Sequence, residues 1–322
     1  MSRAGRAPRA AWLLALALGI SGLACGREAG QGAAAAPATG AARDVLLITV
    51  DTLRADATGF GGNPRVSTPA LDRLAASGRV FPDAHAHSVM TLPSHANILT
   101  GRLPFEHGVR DNSGFVLPDD VPTVAEHFAG AGFATAAAVG AFPLDARFGL
   151  ARGFDLYDDR YPEGSEINEF RMVERRGDEV VAAGLEWWRR HRDERRFLWV
   201  HLFDPHAPYE PPEPFASRYA DAPYLGEVAA VDSFLAPLLD EVLGEGAGPA
   251  LVVFTSDHGE GLGEHGELTH GLFAYESTLR VPLVVRAPGL GPGVVETPAR
   301  HVDIVPTLLD GAGLEAPAGL PG

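Results

Sequence analysis

The chain has 322 residues, of which 46% are hydrophobic, so it can bury the core of one large α/β domain. Its 26 basic residues are all arginine, and 42 acidic residues give a formal net charge of −16. This acidic balance excludes an extended nucleic-acid-binding surface, and we expect no nucleic-acid partner.

The first 25 residues have the composition of an export signal. A basic start precedes an apolar stretch that is too short to span a membrane, and small residues follow up to Cys25. The segment Gly22 to Cys25 resembles the lipobox of bacterial lipoproteins, which favours export to the periplasm or cell envelope and lipid attachment at Cys25. The alternative is a cleaved signal without a lipid. The Gly-, Ala- and Pro-rich residues 26–42 predict a flexible linker.

From residue 43 onward, apolar runs and helix-type segments alternate. The continuous apolar run Asp44 to Val50 predicts a central strand covered on both faces. Further strands are predicted at 133–139, 196–203, 250–255 and 282–285, and helices at 68–78, 94–100, 121–131, 177–192, 224–243 and 302–309, with a loop-rich stretch at 140–177. This order is typical of a doubly wound α/β fold.

Polar residues follow the predicted strands, where open α/β sheets place their ligands. Asp51 follows the first strand, and Asp257 and His258 follow the strand at 250–255. Two carboxylates and one imidazole suit Ca²⁺, Mg²⁺ or Mn²⁺ and are less typical of a structural zinc site. The alternatives are a strand-end turn carboxylate for Asp51 and a solvated loop for the other two residues.

The segment SVMTLPSHANILTG, residues 88–101, predicts a hydroxyl presented at a strand-to-helix turn. Thr91 could cap the helix, but Ser94 fits that position better, so Thr91 is the predicted nucleophile. A metal beside it would lower the pKa of its hydroxyl. His206 and His270 lie in Pro- or Gly-bounded loops and are predicted to bond to the ester oxygens or to protonate the leaving group, unless they are ordinary loop histidines.

Seven segments resemble, in order, the sulfatase family of the alkaline phosphatase superfamily. They are DVLLITVDTLRAD, TLPSHANILTGRLPFEHGV, LPDDVPTVAEHFAGAGFATAAAVG, FLWVHLFDPHAPY, FTSDHGEGLGEHGELTHG, ESTLRVPLVVRAPG and HVDIVPTLLDGAG. The resemblance implies an α/β/α sandwich with a mostly parallel mixed central sheet. It also implies one divalent metal, commonly Ca²⁺, with Mn²⁺ or Mg²⁺ as alternatives.

The resemblance also assigns roles by position. It places Asp51, Asp257, His258 and Thr91 around the metal, Thr91 on the nucleophile, His206 and His270 on the ester, and Asn112 on a further polar contact. For Asn112 the alternative is an ordinary turn asparagine. Relatives usually continue into a smaller C-terminal sheet and helix, so residues 43–322 are interpreted as a C-terminally incomplete catalytic domain.

The chain departs from the family at three positions. Family members oxidise a cysteine or serine to formylglycine where this chain has Thr91, so no formylglycine is expected. Thr52 replaces the second aspartate of a common pair. His95 replaces the usual arginine and is kept as a candidate catalytic residue.

A threonine ester would have to be hydrolysed by water, and threonine nucleophiles occur in superfamily relatives that act on phosphate diesters and phosphonates. We therefore predict a hydrolase of a sulfate or phosphate-type ester, acting on a small-molecule, glycan or lipid substrate. A metal-binding pseudoenzyme and a transferase of phosphoryl-linked head groups are the alternatives.

Overall fold

The computed structural model describes residues 41–161 and 174–322. The predicted export signal and the linker up to residue 40 lie outside these residues. In the described part of the chain, no helix is both long and apolar enough to cross a membrane.

The described residues form short and long elements in alternation. The strands are β1 (Asp44–Val50), β2 (Arg79–Val80), β3 (Ala84–His85), β4 (Ala134–Val139), β5 (Leu156–Asp158), β6 (Arg196–Leu202), β7 (Ala250–Ser256), β8 (Leu283–Arg286), β9 (Gly293–Val294) and β10 (Ala299–Arg300). The α-helices are α1 (Pro69–Ser77), α2 (Thr91–Thr100), α3 (Pro104–His107), α4 (Val124–Gly130), α5 (Gly177–Arg190), α6 (Phe215–Arg218), α7 (Pro223–Leu243), α8 (Glu276–Leu279) and α9 (Ile304–Gly311).

The central sheet has the strand order β5-β4-β6-β1-β7-β8-β2-β9. Strand β1 pairs in parallel with β6 on one side and β7 on the other, and β4 and β5 extend the parallel part. Strand β8 runs antiparallel to β7 and β2. The mostly parallel mixed sheet of the predicted fold class is therefore confirmed.

Alternate residues of β1 enter two separate hydrophobic cores, because successive side chains of a strand point to opposite faces. Val45 and Leu47 pack with α2, α4 and α9, whereas Leu46, Ile48 and Val50 pack with α1, α5 and α7. All five side chains are fully buried. The sheet thus lies between two helical layers, as the continuous apolar run of β1 predicted.

Helix α2 begins earlier than the sequence suggested. Its first residue is Thr91 and its N-cap is Met90, so Ser94 lies inside the helix. The prediction that Ser94 caps this helix is wrong, because its hydroxyl donates to the backbone oxygen of Asp257 instead. Pro93 is tolerated in the first turn, where its missing N–H would have no helical partner.

The predicted loop-rich stretch also contains a strand that the sequence did not reveal. Strand β5 has only three residues and pairs with β4 at the edge of the sheet. Three residues are too few to show an alternating pattern, so this strand depends on its partner rather than on its own sequence.

Helix α7 stabilises the beginning of α1 through a buried carboxylate. Asp232 is 2% exposed and accepts hydrogen bonds from the backbone N–H groups of Ala70 and Leu71 at 3.2 and 2.8 Å. These N–H groups belong to the first turn of α1, which has no partner within its own helix. Asp232 therefore acts as a cap supplied by a neighbouring helix.

We expect Asp232→Ala to lower the free energy of unfolding by about 1–3 kcal/mol, because it leaves two buried N–H groups without acceptors. Asp240→Ala is the matched control, since Asp240 also joins α7 to α1 but through an exposed ion pair with Arg73. That change should cost less than about 1 kcal/mol. Urea unfolding of both variants measures the difference, and equal losses would contradict the capping role.

Candidate active site and metal centre

Asp51, Asp257 and His258 come together at the carboxyl ends of two neighbouring strands. Val50 and Ser256 are paired in register between β1 and β7, so the next residue of each strand places a carboxylate at the same edge. One ligand atom from each of the three residues lies within 4.8 Å of the others, and all three residues are fully buried. The structure thus brings together the predicted protein ligands at one centre.

The hydrogen bonds around this centre leave one donor atom of each residue unused. Asp257 Oδ1 accepts from the backbone N–H groups of Thr52 at 3.2 Å and His258 at 2.8 Å. His258 Nδ1 lies 2.9 Å from the oxygen of Gly259 and must donate to it. Asp51 Oδ1, Asp257 Oδ2 and His258 Nε2 are buried without a hydrogen-bond partner among the described residues.

The electrostatics of the centre call for a cation. Burial raises the pKa of Asp51, and burial together with the charge of Asp51 raises that of Asp257 well above its ordinary value. Burial lowers the pKa of His258, which keeps its imidazole neutral and its Nε2 lone pair available. Two buried carboxylates and a neutral imidazole with three unused atoms fit a divalent metal ion.

Thr91 lies at the edge of this centre, at the amino end of α2. Its hydroxyl donates to Asp51 Oδ2 across 3.4 Å. Asn112 holds the same helical turn from the other side, because its Oδ1 accepts from Leu92 N–H at 2.8 Å. Asn112 is therefore tied to the helix, and its predicted contact with an ester stays a prediction.

His206 and His270 lie next to each other above the centre, with ring centroids 5.1 Å apart. Burial lowers the pKa of His206. Burial also lowers that of His270, but its hydrogen bond to Glu260 and the charge of Glu260 outweigh this effect, so the pKa of His270 is raised. His270 is thus the histidine of this pair that holds a proton more strongly.

Glu260 is a residue that sequence reasoning named without assigning it a role. It is fully buried, and its two oxygens lie 3.3 Å from His270 Nδ1 and 2.9 Å from the Tyr209 hydroxyl. Its position two residues after His258 in a glycine-rich loop was the available signal. The signal was weak because that loop contains several other acidic residues.

His95 lies beneath α2 and not at its surface. It is fully buried, with Nδ1 at 2.8 Å from the oxygen of Thr91 and Nε2 at 3.1 Å from Thr49 Oγ1. Both ring nitrogens are therefore engaged within the protein. His95 supports the turn that carries Thr91, and a catalytic role for His95 stays a prediction.

Comparison with known proteins agrees with this geometry. A profile of the family described as Sulfatase matches residues 43–314. The choline-sulfatase of Rhizobium meliloti (strain 1021) is 26% identical over 348 residues, covering 84% of this chain and 68% of that protein. The ulvan-active sulfatase of Formosa agariphila is 27% identical over 332 residues, covering 87% of this chain and 63% of that protein. The chain thus spans about two thirds of the length of these relatives.

Solved structures share the fold at lower identity. BT4656, in complex with D-glucosamine-2-N,6-O-disulfate, superposes with a TM-score of 0.73 at 21% identity, covering 88% of this chain and 78% of that one. The phosphonate monoester hydrolase SpPMH from Silicibacter pomeroyi gives a TM-score of 0.69 at 24% identity, covering 87% and 75%. At these identities the likeness concerns the fold.

We expect a divalent ion to raise the melting temperature of the protein, because it binds the folded state and offsets the repulsion between two buried carboxylates. The rise should shrink as the pH falls toward 5, since Asp51, whose pKa is raised to about 6, then holds a proton that the ion must displace. Thermal unfolding with metal and with chelator at pH 5 and 7.5 measures both effects.

Asp257→Asn should abolish the rise in melting temperature. Asp221→Asn is the control, because Asp221 is an exposed carboxylate that pairs with Arg65 away from the centre. A metal-dependent rise that persists in Asp257→Asn, or one that is equally lost in Asp221→Asn, would contradict the assigned centre.

Proposed function

The chain belongs to the sulfatase family, and from this premise we propose that it is a metal-dependent hydrolase that cleaves a sulfate or phosphate-type ester with Thr91 as the nucleophile. The observation that carries the proposal is the position of the Thr91 hydroxyl. It lies at the amino end of α2 and 3.4 Å from Asp51, beside three buried donor atoms without partners in the described chain. A helix amino end also favours an anionic ester.

The metal would be held by Asp51, Asp257 and His258, with Thr91 as a further oxygen ligand. A bound divalent ion supplies positive charge, which lowers the pKa of the threonine hydroxyl and stabilises negative charge on the ester oxygens. The protein prepares for this by fixing one oxygen of Asp257 with two backbone N–H groups and one nitrogen of His258 with a carbonyl. The remaining donor atoms are therefore oriented before an ion binds.

In the proposed reaction, Thr91 Oγ1 forms a bond to the sulfur or phosphorus atom while the bond from that atom to the leaving oxygen breaks. His270 donates its proton to the leaving oxygen, and Glu260 holds the protonated imidazole in place. Water then attacks the threonine ester, which releases the inorganic anion and restores the hydroxyl. Transfer to another acceptor would differ only in this last step.

The proposed substrate is a small-molecule, glycan or lipid ester. One relative is a choline-sulfatase and another is ulvan-active, and BT4656 was solved with a disulfated glucosamine. We extend the proposal to location on the pattern of residues 1–25. The protein would be exported to the cell envelope and anchored through a lipid on Cys25.

Thr91→Ala should lower kcat/KM for a nitrophenyl sulfate, phosphate diester or phosphonate by about 10³-fold or more, because it removes the attacking group. Thr100→Ala is the control from the same helix, since the Thr100 hydroxyl only donates to the backbone oxygen of Ala96. Full activity in Thr91→Ala would disprove the nucleophile. Activity in neither the wild type nor the control, with metal bound, would favour a pseudoenzyme.

Glu260→Gln should move the alkaline limb of the kcat/KM profile to lower pH. The general acid works only when protonated, and the loss of Glu260 leaves burial to lower the pKa of His270. Glu264→Gln is the control in the same loop, because Glu264 pairs with Arg54. An alkaline limb that is unchanged in Glu260→Gln would show that His270 is not the acid.

A further inference from the structure

Four buried polar side chains lie directly beneath Asp51 and the first turn of α2. They are Thr49, His95, Trp199 and His201, and all are fully buried. Thr49 and His201 lie side by side on the paired strands β1 and β6, and His95 reaches them from α2. We call these four residues the buried polar cluster, and the proposed reaction does not use it.

The Thr49 hydroxyl is the centre of the buried polar cluster. Its oxygen lies 3.0 Å from Trp199 Nε1, 3.1 Å from His95 Nε2 and 2.9 Å from His201 Nδ1. The other nitrogen of His95 lies 2.8 Å from the backbone oxygen of Thr91. The other nitrogen of His201, Nε2, lies 3.6 Å from Asp51 Oδ2 and has no hydrogen-bond partner within the described ranges.

These contacts determine where the protons lie. Both imidazoles are fully buried and neither hydrogen-bonds a carboxylate of a described residue, so each is neutral and carries one proton. The Thr91 carbonyl can only accept, so the proton of His95 is on Nδ1 and its Nε2 must accept from the Thr49 hydroxyl.

The same logic then reaches His201. Trp199 Nε1 is a donor, and the Thr49 hydroxyl has already used its proton toward His95, so its second lone pair accepts from His201 Nδ1. The cluster has five polar contacts but only four protons, one from each of its members. The contact without a proton is the one between His201 Nε2 and Asp51.

A lone pair of His201 thus faces a carboxylate oxygen in a site closed to water. Two acceptors in this arrangement are stabilised by a cation that both can bind. Metal bonds to imidazole nitrogen and carboxylate oxygen are about 2.0–2.2 Å long, so donor atoms 3.6 Å apart can contact one ion.

We propose that His201 Nε2 is a further nitrogen ligand of the metal centre, and that the centre therefore takes a first-row transition metal such as Mn²⁺ or Zn²⁺ in preference to Ca²⁺. Calcium is bound almost entirely by oxygen, whereas imidazole suits transition metals. With His258, the centre offers two imidazoles. The inference rests on the metal centre of the proposed function, and it adds a residue and a class of ion.

Pulsed electron paramagnetic resonance of the full chain loaded with Mn²⁺ tests the ligand directly. We expect nitrogen couplings from two imidazoles in the wild type and from one in His258→Gln, where His201 is the imidazole left. Nitrogen from one imidazole in the wild type and none in His258→Gln would overturn the inference while leaving the metal centre intact. Failure of any divalent ion to bind would instead overturn the metal centre itself.

His201→Phe tests the choice of ion. We expect the affinity for Mn²⁺ and Zn²⁺ to fall by about 10-fold or more, with a change of less than about 2-fold for Ca²⁺. His107→Phe is the matched control, because His107 is also fully buried but bonds to Asn97 and Val109 outside the buried polar cluster. Equal losses for all three ions in His201→Phe would contradict the inference, and the resonance measurement decides if this variant does not fold.

Discussion

The structure around the site depends on two carboxylates that are buried side by side at the ends of adjacent strands. Parallel pairing of β1 with β7 places Asp51 and Asp257 next to each other, and neither carboxylate is exposed to water that could screen its charge. Such a pair destabilises the fold unless a proton or a cation lies between its members. Because the neighbouring N–H groups and His258 leave free atoms facing one point, folding and metal binding are coupled in this region.

The position of the nucleophile follows from the same strand ends. Ser94 donates its hydroxyl proton to the backbone oxygen of Asp257, so the second turn of α2 is joined to the end of β7. Asn112 satisfies Leu92 N–H on the opposite side, and Thr91 is left with Asp51 as its hydroxyl acceptor. The helix is thus anchored at the strand that carries a metal ligand, which keeps the hydroxyl close to the ion site without a contact from the substrate.

Sequence reasoning could predict the elements that bury a continuous apolar run, and with them the residues that follow those runs. The predicted bounds of β1 match the structure, and this placed Asp51 correctly at the sheet edge. The start of α2 could not be predicted, because the hydroxyl of Ser94 is used by a residue far away in the chain. His201 looked like part of an apolar strand, and its meaning depends on the register that sets it beside Thr49.

The exchange of arginine for His95 changes where positive charge can come from. An arginine at this position would carry a permanent charge, whereas His95 is buried and uses both ring nitrogens to support Thr91 and Thr49. Charge complementary to an anionic ester must then come from the bound ion, from the amino end of α2 and from His270 with its raised pKa. Because two of these sources are partial or depend on pH, the ion has to supply most of the charge. A centre with that burden gains from an additional imidazole, since a ligand supplied from the buried strand β6 holds the ion without adding another negative charge.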